Sequence, residues 1–295
     1  PHKTSHQVEE QVLRLRQELP TFGQDRLKHD FGLPCSSWAI NRILNQHHLI
    51  KRRRSKRETK RKLWAVKKRL LTFERIQIDT KELKDIPEYL PYIYQHHFPT
   101  FQYTARDVKS GAQFLAYAYA NNSTNAAIFA AVVGNQLRKY GIKLAQVTFQ
   151  TDNGVEYTNA YHLRKHLPFF TLMSTLFLGV GEHYRIPPGA KTWQSDVETA
   201  HGLIENEFYC LEKFAGLTEF LGKAYAYQLF FNFKRSNTNK DHQSPLALLQ
   251  KDRPEVNPNV LNLPPVILES YLKGFTLPKH PWEEAELKEN YAKMG

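Results

Sequence analysis

Apolar positions between residues 8 and 48 recur at helical spacing. Val8, Val12, Leu15 and Leu19 share one face of a helix whose other faces carry Glu9, Glu10, Arg14 and Arg16. Pro20 closes it, because proline breaks the helical ladder. TFGQDRLKHDFGLP then predicts a short second helix ending near Gly32-Leu33-Pro34. Ser36 or Ser37 caps a third, with Trp38, Ile43 and Leu44 expected to pack inward. From about residue 73 the period changes to two. ERIQIDT, FQYTARDV and QFLAYAYA read as three strands, the last two joined by KSG as in a hairpin. STNAAIFAAVVGNQLRKYG reads as a capped helix ended by Gly141. AQVTFQT returns as a strand, a helical stretch around 160 to 175 follows, EHYRIP is a last short strand, and SDVETAHGLIENEFYCLEKF is a long helix. The pattern predicts an α/β protein, a mixed sheet with helices against its faces, preceded by a small all-α unit.

Charge adds a partner to this outline. The chain carries a net +12, and residues 51 to 69 hold twelve Lys/Arg against one Glu, nearly all of the excess. Such a block repels itself unless a polyanion neutralises it, which points to nucleic acid; a solvated linker is the plainer alternative. Phosphate contacts of this kind supply affinity and salt dependence but no sequence preference. Directly before the block stands a helix, a helix, a short Gly-containing turn and a helix, the arrangement of a helix-turn-helix DNA reader. On that reading Asn41, Arg42, Asn45 and Gln46 of the third helix are base or phosphate contacts, unless they are ordinary solvent-facing polar residues. Lys51, Arg52, Arg53, Arg54, Lys56, Arg57, Lys60, Arg61 and Lys62 are backbone contacts.

Hydrophobic residues make up 41% of the chain, so it is globular, yet no apolar run is long enough to cross a membrane. Cys35 and Cys210 lie far apart and form no CxxC pair, which argues against a zinc finger or a disulfide framework. PHKTSHQVEEQV lacks the apolar core of a secretory signal. A cytoplasmic protein is expected.

The candidate chemistry lies at strand ends. Asp79 is expected to end the first strand, in QIDT, and Asp152 the fourth, in QTDNG. If those strands are parallel neighbours the two carboxylates lie side by side, and they repel unless a divalent cation sits between them. Hard oxygen ligands on an open site suit magnesium. Glu198, in the first turn of the last helix, is the natural third ligand. SDVE, however, also reads as a capping box from Ser195, in which case Glu205 is the alternate ligand. Glu156 and Asp196 stand close by in sequence, as supporting or merely exposed residues. His162 and His166 read as a surface pair, and WEEAELKEN as an acidic helix or tail.

These segments resemble the Asp-Asp-Glu (DDE) transposases and integrases of the ribonuclease-H-like superfamily, in particular bacterial insertion-sequence transposases. The resemblance is carried by QIDTKEL, TARDVKSG, STNAAIF, FQTDNGVEY, RIPPGAKTWQSDVETAHGLIENEFY and FNFKRSNTNKDHQSPLALL, and covers most of residues 8 to 250. It departs in spacing: forty-five residues separate Asp152 from Glu198, more than such enzymes often show. The resemblance implies a ribonuclease-H-like five-stranded mixed sheet. It divides the chain into a helix-turn-helix domain over 1–50, a basic linker over 51–72, a catalytic domain over 73–250 and a C-terminal extension over 251–295. It implies that Asp79, Asp152 and Glu198 are both catalytic and metal-binding, holding two magnesium or manganese ions. Lys191, Trp193 and His201 would lie along DNA. The implied activity is cleavage at transposon ends followed by 3′-hydroxyl strand transfer into double-stranded target DNA. The implied agent is a homo-oligomer at the bacterial nucleoid. The rivals are an inactive, domesticated DNA-binding protein and a nuclease that cuts without joining.

Overall fold

A computed structural model describes residues 4–50, 56–158 and 168–272. The chain divides into two compact units, residues 1–61 and 62–295. That division falls inside the stretch expected to be a linker, which is helical over Lys56–Arg69.

The first unit holds α1 (His6–Glu18), α2 (Gln24–Asp30) and α3 (Ser37–Gln46). Val12, Leu15, Leu27, Leu33, Ile40, Ile43 and Leu44 form its core. Ser36 caps α3 by accepting the Ala39 N–H. Trp38 corrects the sequence reading: it is 73% exposed, because the inward face of α3 is taken by Ile40, Ile43 and Leu44. The Arg42 guanidinium lies over the Trp38 ring at 5.9 Å. Asn45 donates to the side chain of Asn41.

Helix α4 (Lys56–Arg69) leads to β1 (Arg75–Glu82), α5 (Leu90–His96), β2 (Phe101–Asp107), β3 (Gln113–Ala118), α6 (Ser123–Lys139) and β4 (Thr148–Thr151). Next come α7 (Val155–Thr158), α8 (Phe169–Thr171), β5 (Glu182–Arg185), α9 (Ser195–Ile204), α10 (Leu217–Phe233) and α11 (Pro245–Asp252). The five strands form one mixed sheet in the order β3-β2-β1-β4-β5. β1, β2 and β3 are antiparallel, whereas β1, β4 and β5 are parallel. The expected neighbourhood of the first and fourth strands is present, and the sheet is compatible with a ribonuclease-H-like fold.

The period-two alternation divides the sheet into unlike faces. Ile76, Ile78, Tyr103, Ala105, Phe114, Ala116 and Phe149 pack on Phe129, Ala130, Val133 and Leu137 of α6. Gly141 ends that helix at φ 87°, a conformation glycine adopts without strain. The other face carries Gln77, Gln102, Thr104, Arg106, Gln113 and Gln150, all buried. Burial demands partners for these polar groups. On edge strand β3 it is the backbone whose partners come from α10, while Gln113 Nε2 and Arg106 Nε stay without a partner among the described residues. Asn232 accepts from the Gln113 N–H and donates to its carbonyl, and Gln228 accepts from the Leu115 N–H. Residues after α11 complete the same core, with Val256, Val260, Leu261 and Leu268 buried. The long helix expected from Ser195 is shorter: α9 passes into a wider π turn at Glu205–Tyr209. The acidic segment WEEAELKEN lies outside the described residues.

Candidate active site

Asp79 is not at a strand end, as expected, because β1 continues to Glu82 on its β2 side, where Asp79 pairs with Thr104. On its β4 side the pairing ends at Gln77 opposite Gln150. Asp79 and Asp152 each stand two residues beyond that pair. Asp152 follows β4 directly, and its Oδ1 accepts the Gly154 N–H at 2.7 Å, closing a tight turn.

The carboxylates of this region feel one another. Burial first, and then the charge of Asp152, pushes the Asp79 carboxyl up to about 7. Glu156 and Glu198 add to the rise, and the Thr80 backbone N–H opposes it. Glu156 was expected to be supporting or exposed; it is buried, 7% exposed. Its Oε2 and the Oδ1 of Asp152 both crowd Gly154: a Cβ there would lie 2.6 Å from the first and 3.0 Å from the second. Glu198 projects from the first turn of α9 and is exposed. The rival reading of SDVE as a capping box is not borne out. Gln194 occupies the cap position, and no side chain of the helix's own start bonds its first N–H groups. Glu205, the alternate, is tied to Lys81 by an ion pair of 2.8 Å.

His201 was expected along DNA. It is 8% exposed instead, turned in against β1 and β2. Its Nε2 meets Thr104 Oγ1 at 3.1 Å, and its Nδ1 stands 3.8 Å from Asp79 Oδ2. Burial, with help from Lys81, lowers its pKa to about 3, so the ring is neutral. Gln102 donates to the same Thr104 hydroxyl and accepts from Tyr209, extending the polar chain under α9.

Three glutamines that sequence reasoning passed over join α9 to the sheet. Gln77 and Gln150 both donate to the Trp193 carbonyl, at 2.6 and 2.8 Å. Gln150 also donates to Gln194, which donates to the Ile78 carbonyl, and Gln77 accepts the Val197 N–H. The signal was present in the chain as a repeated Gln-x-Asp in IQID and FQTD. Trp193, expected on DNA, stacks on Tyr184 with ring centroids 6.0 Å apart. Lys67 of α4 bonds Ser195 and pairs with Asp196.

Of the remaining expected contacts, Lys51, Arg52, Arg53 and Arg54 lie outside the described residues, as do His162 and His166. Lys56, Arg57 and Lys60 lie on α4, but their side chains, like that of Lys191, are outside the described set. Arg61 and Lys62 are exposed.

No family model and no curated protein matches the chain. Among solved structures, it is similar to a chain of the simian T-cell lymphotropic virus intasome in complex with PP2A regulatory subunit B56 gamma. Identity is 15%, coverage 82% of this chain and 75% of that one, and the TM-score 0.47. A likeness of that degree assigns neither family nor activity. The chemistry therefore rests on the site.

Carboxylate oxygens whose charges raise the proton affinity of Asp79 suit a divalent cation, which would take the place of the Asp79 proton. Among the described residues no three of His, Cys, Asp and Glu already stand close enough to hold one. The carboxylates supply oxygen donors of the kind such an ion takes, but they are not gathered into a ligand set.

Proposed function

We propose that this protein is a DNA transposase of the Asp-Asp-Glu type, cutting DNA at transposon ends and transferring the freed 3′-hydroxyl to a target strand. One observation carries the reading: Asp79 of β1 is raised to about 7 by burial first and then by the charges of Asp152, Glu156 and Glu198, which come from separate parts of the chain. The basic stretch over residues 51–69 supports a DNA substrate.

Asp79, Asp152 and Glu198 would hold two magnesium or manganese ions. When bound, these supply the Lewis acid that activates a water or a 3′-hydroxyl and stabilises the leaving oxygen. The residues of the chain do the rest. Asp79, raised to about 7, would have to be deprotonated to serve as a ligand. Neutral His201, facing Asp79, adds no positive charge to compete with them. The buried amides beneath α9 keep the helix start in place. No serine or tyrosine nucleophile is required, since the attacking oxygens belong to water and to DNA. Asn41, Arg42 and Asn45 would read the terminal repeats, with Trp38 exposed beside them. Joining two ends calls for at least two protomers on DNA.

A DNA-binding protein without catalysis is the second reading, favoured by the ungathered ligands. Nicking of supercoiled plasmid in manganese tests between them. The transposase reading expects nicking by the unaltered chain and none by Asp152→Asn. Equal nicking by both, or by neither, overturns it. Cutting without joining of 3′ ends in a strand-transfer assay would leave a nuclease.

A further inference from the structure

The two strands that present Asp79 and Asp152 each place a glutamine two residues upstream, and these glutamines oppose one another in register. We propose that Gln77, Gln150 and Gln194 are positioning residues that fix Glu198 relative to the two aspartates; this rests on the functional reading above.

The bonds run between residues adjacent to the carboxylates. Gln194 Nε2 donates at 3.2 Å to the carbonyl of Ile78, which precedes Asp79. Gln77 Oε1 accepts at 3.1 Å from the N–H of Val197, which precedes Glu198. That N–H is among the first of α9, which have no partner within a helix, and α9 has no side-chain cap of its own. Gln77 of β1 thus caps a helix 120 residues away in the chain. The Trp193 carbonyl gathers both Gln77 and Gln150 onto one acceptor, and Gln150 closes the loop by donating to Gln194 at 2.8 Å. All three side chains are 2% exposed or less, so a missing bond would not be replaced by bulk water.

Glutamine suits the task chemically. It is neutral and offers a donor and an acceptor at the end of one stem. Glutamate at 77 or 150 would add negative charge beneath a group of carboxylates that already repel. Methionine would fill the volume but remove one of the two donors to the Trp193 carbonyl, and at 77 would leave the Val197 N–H without its acceptor. Glu198 itself is exposed, so the glutamines act on the helix that carries it and not on its side chain.

The test uses the full chain with Gln77→Met and Gln150→Met, singly and together. Nicking of supercoiled plasmid is followed against manganese concentration, with affinity for a random-sequence duplex measured alongside. Each single change should lower the nicking rate about a hundred-fold, the scale of a small misplacement of catalytic groups. It should also raise the manganese needed for half-maximal rate, with duplex affinity held within about two-fold. Because either amide alone still bonds the Trp193 carbonyl, only the double variant leaves it unpaired, and its loss should exceed the product of the single losses. Hydrogen exchange at the Val197 amide should quicken in Gln77→Met, a readout independent of turnover. Gln150→Met leaves the Val197 bond in place and carries the test if Gln77→Met is unfolded at assay temperature. Folded variants that nick at the unaltered rate and manganese requirement overturn the inference and leave the functional reading intact. No nicking by the unaltered chain overturns that reading, and with it the role given to the glutamines.

Discussion

The Nδ1 of His201 stands 3.8 Å from the Oδ2 of Asp79, yet between pH of about 3 and about 7 the two do not form an ion pair. Burial holds the ring neutral and the carboxyl protonated. The contact therefore places an uncharged pair beneath a site read as one for cations, with Thr104 satisfying the other ring nitrogen.

Two opposite stability slopes follow from that pair. Native Asp79 keeps its proton up to about 7, whereas the unfolded carboxyl releases it near 3.8, so stability falls as pH rises through that window. His201 does the reverse. The unfolded ring protonates below 6.5 and the native ring only near 3, so stability falls as pH drops between them. Urea melts should show Asp79→Asn gaining on the unaltered chain between pH 4 and 7, by on the order of 2 kcal/mol, and level above it. His201→Gln should gain on the acid side instead. Parallel curves for all three proteins would mean that neither group is perturbed.

Magnesium offers a reading of the same site without turnover. A cation that replaces the Asp79 proton should raise the melting temperature more at pH 8 than at pH 5, where it must compete with that proton. The difference should vanish in Asp79→Asn. An equal rise at both pH values would place the ion elsewhere.

Asp152→Asn removes charge without changing shape. Cleavage should fall by roughly a thousand-fold or more, since a metal ligand supplies several kcal/mol at the transition state. Duplex affinity should hold, or rise slightly as repulsion toward phosphate is removed. Anisotropy with a labelled duplex checks this, and a matching loss of affinity would assign Asp152 a structural role.

Neutralising Lys60, Arg61 and Lys62 should weaken binding to duplexes of any sequence. It should also flatten the plot of log affinity against log salt by up to about 3, near 0.9 for each phosphate that the protein ceases to neutralise. An unchanged slope would put this part of α4 off the DNA.

The strands were legible because their alternation is strict: Ile76 and Ile78 against Gln77 and Asp79 determine which side is which. What that pattern conceals is that the polar side is buried too. Helix α10 has little contrast between its faces, because Gln228 and Asn232 turn inward to bond β3 while Phe230 stays 52% exposed. Trp38 was expected inside with Ile43 and Leu44, but Ile40 takes the third inward position of that face. The glutamines beneath α9 were spaced legibly before each aspartate. Their meaning was hidden, since the groups they bond lie 43 to 120 residues away in the chain.

Gly154 makes the last prediction, because its missing side chain is what lets two carboxylates approach. A Cβ at 154 would sit 2.6 Å from Glu156 Oε2 and 3.0 Å from Asp152 Oδ1, distances at which something must shift. The backbone there is not left-handed, so alanine is excluded by crowding and not by conformation. The nearer atom is the carboxylate end of buried Glu156, and any of the shift that it does not absorb falls on Asp152 and on the turn closed by the Gly154 N–H. Gly154→Ala should therefore lower plasmid nicking by one to two orders of magnitude, the cost of a small misplacement. Duplex affinity should be unchanged. Gly154→Ala combined with Glu156→Ala, which clears the nearer oxygen, should recover part of the rate if crowding is the cause. Recovery would also show that the Glu156 carboxylate is dispensable to cleavage; a deeper loss would make Glu156 itself a contributor to the chemistry of the site.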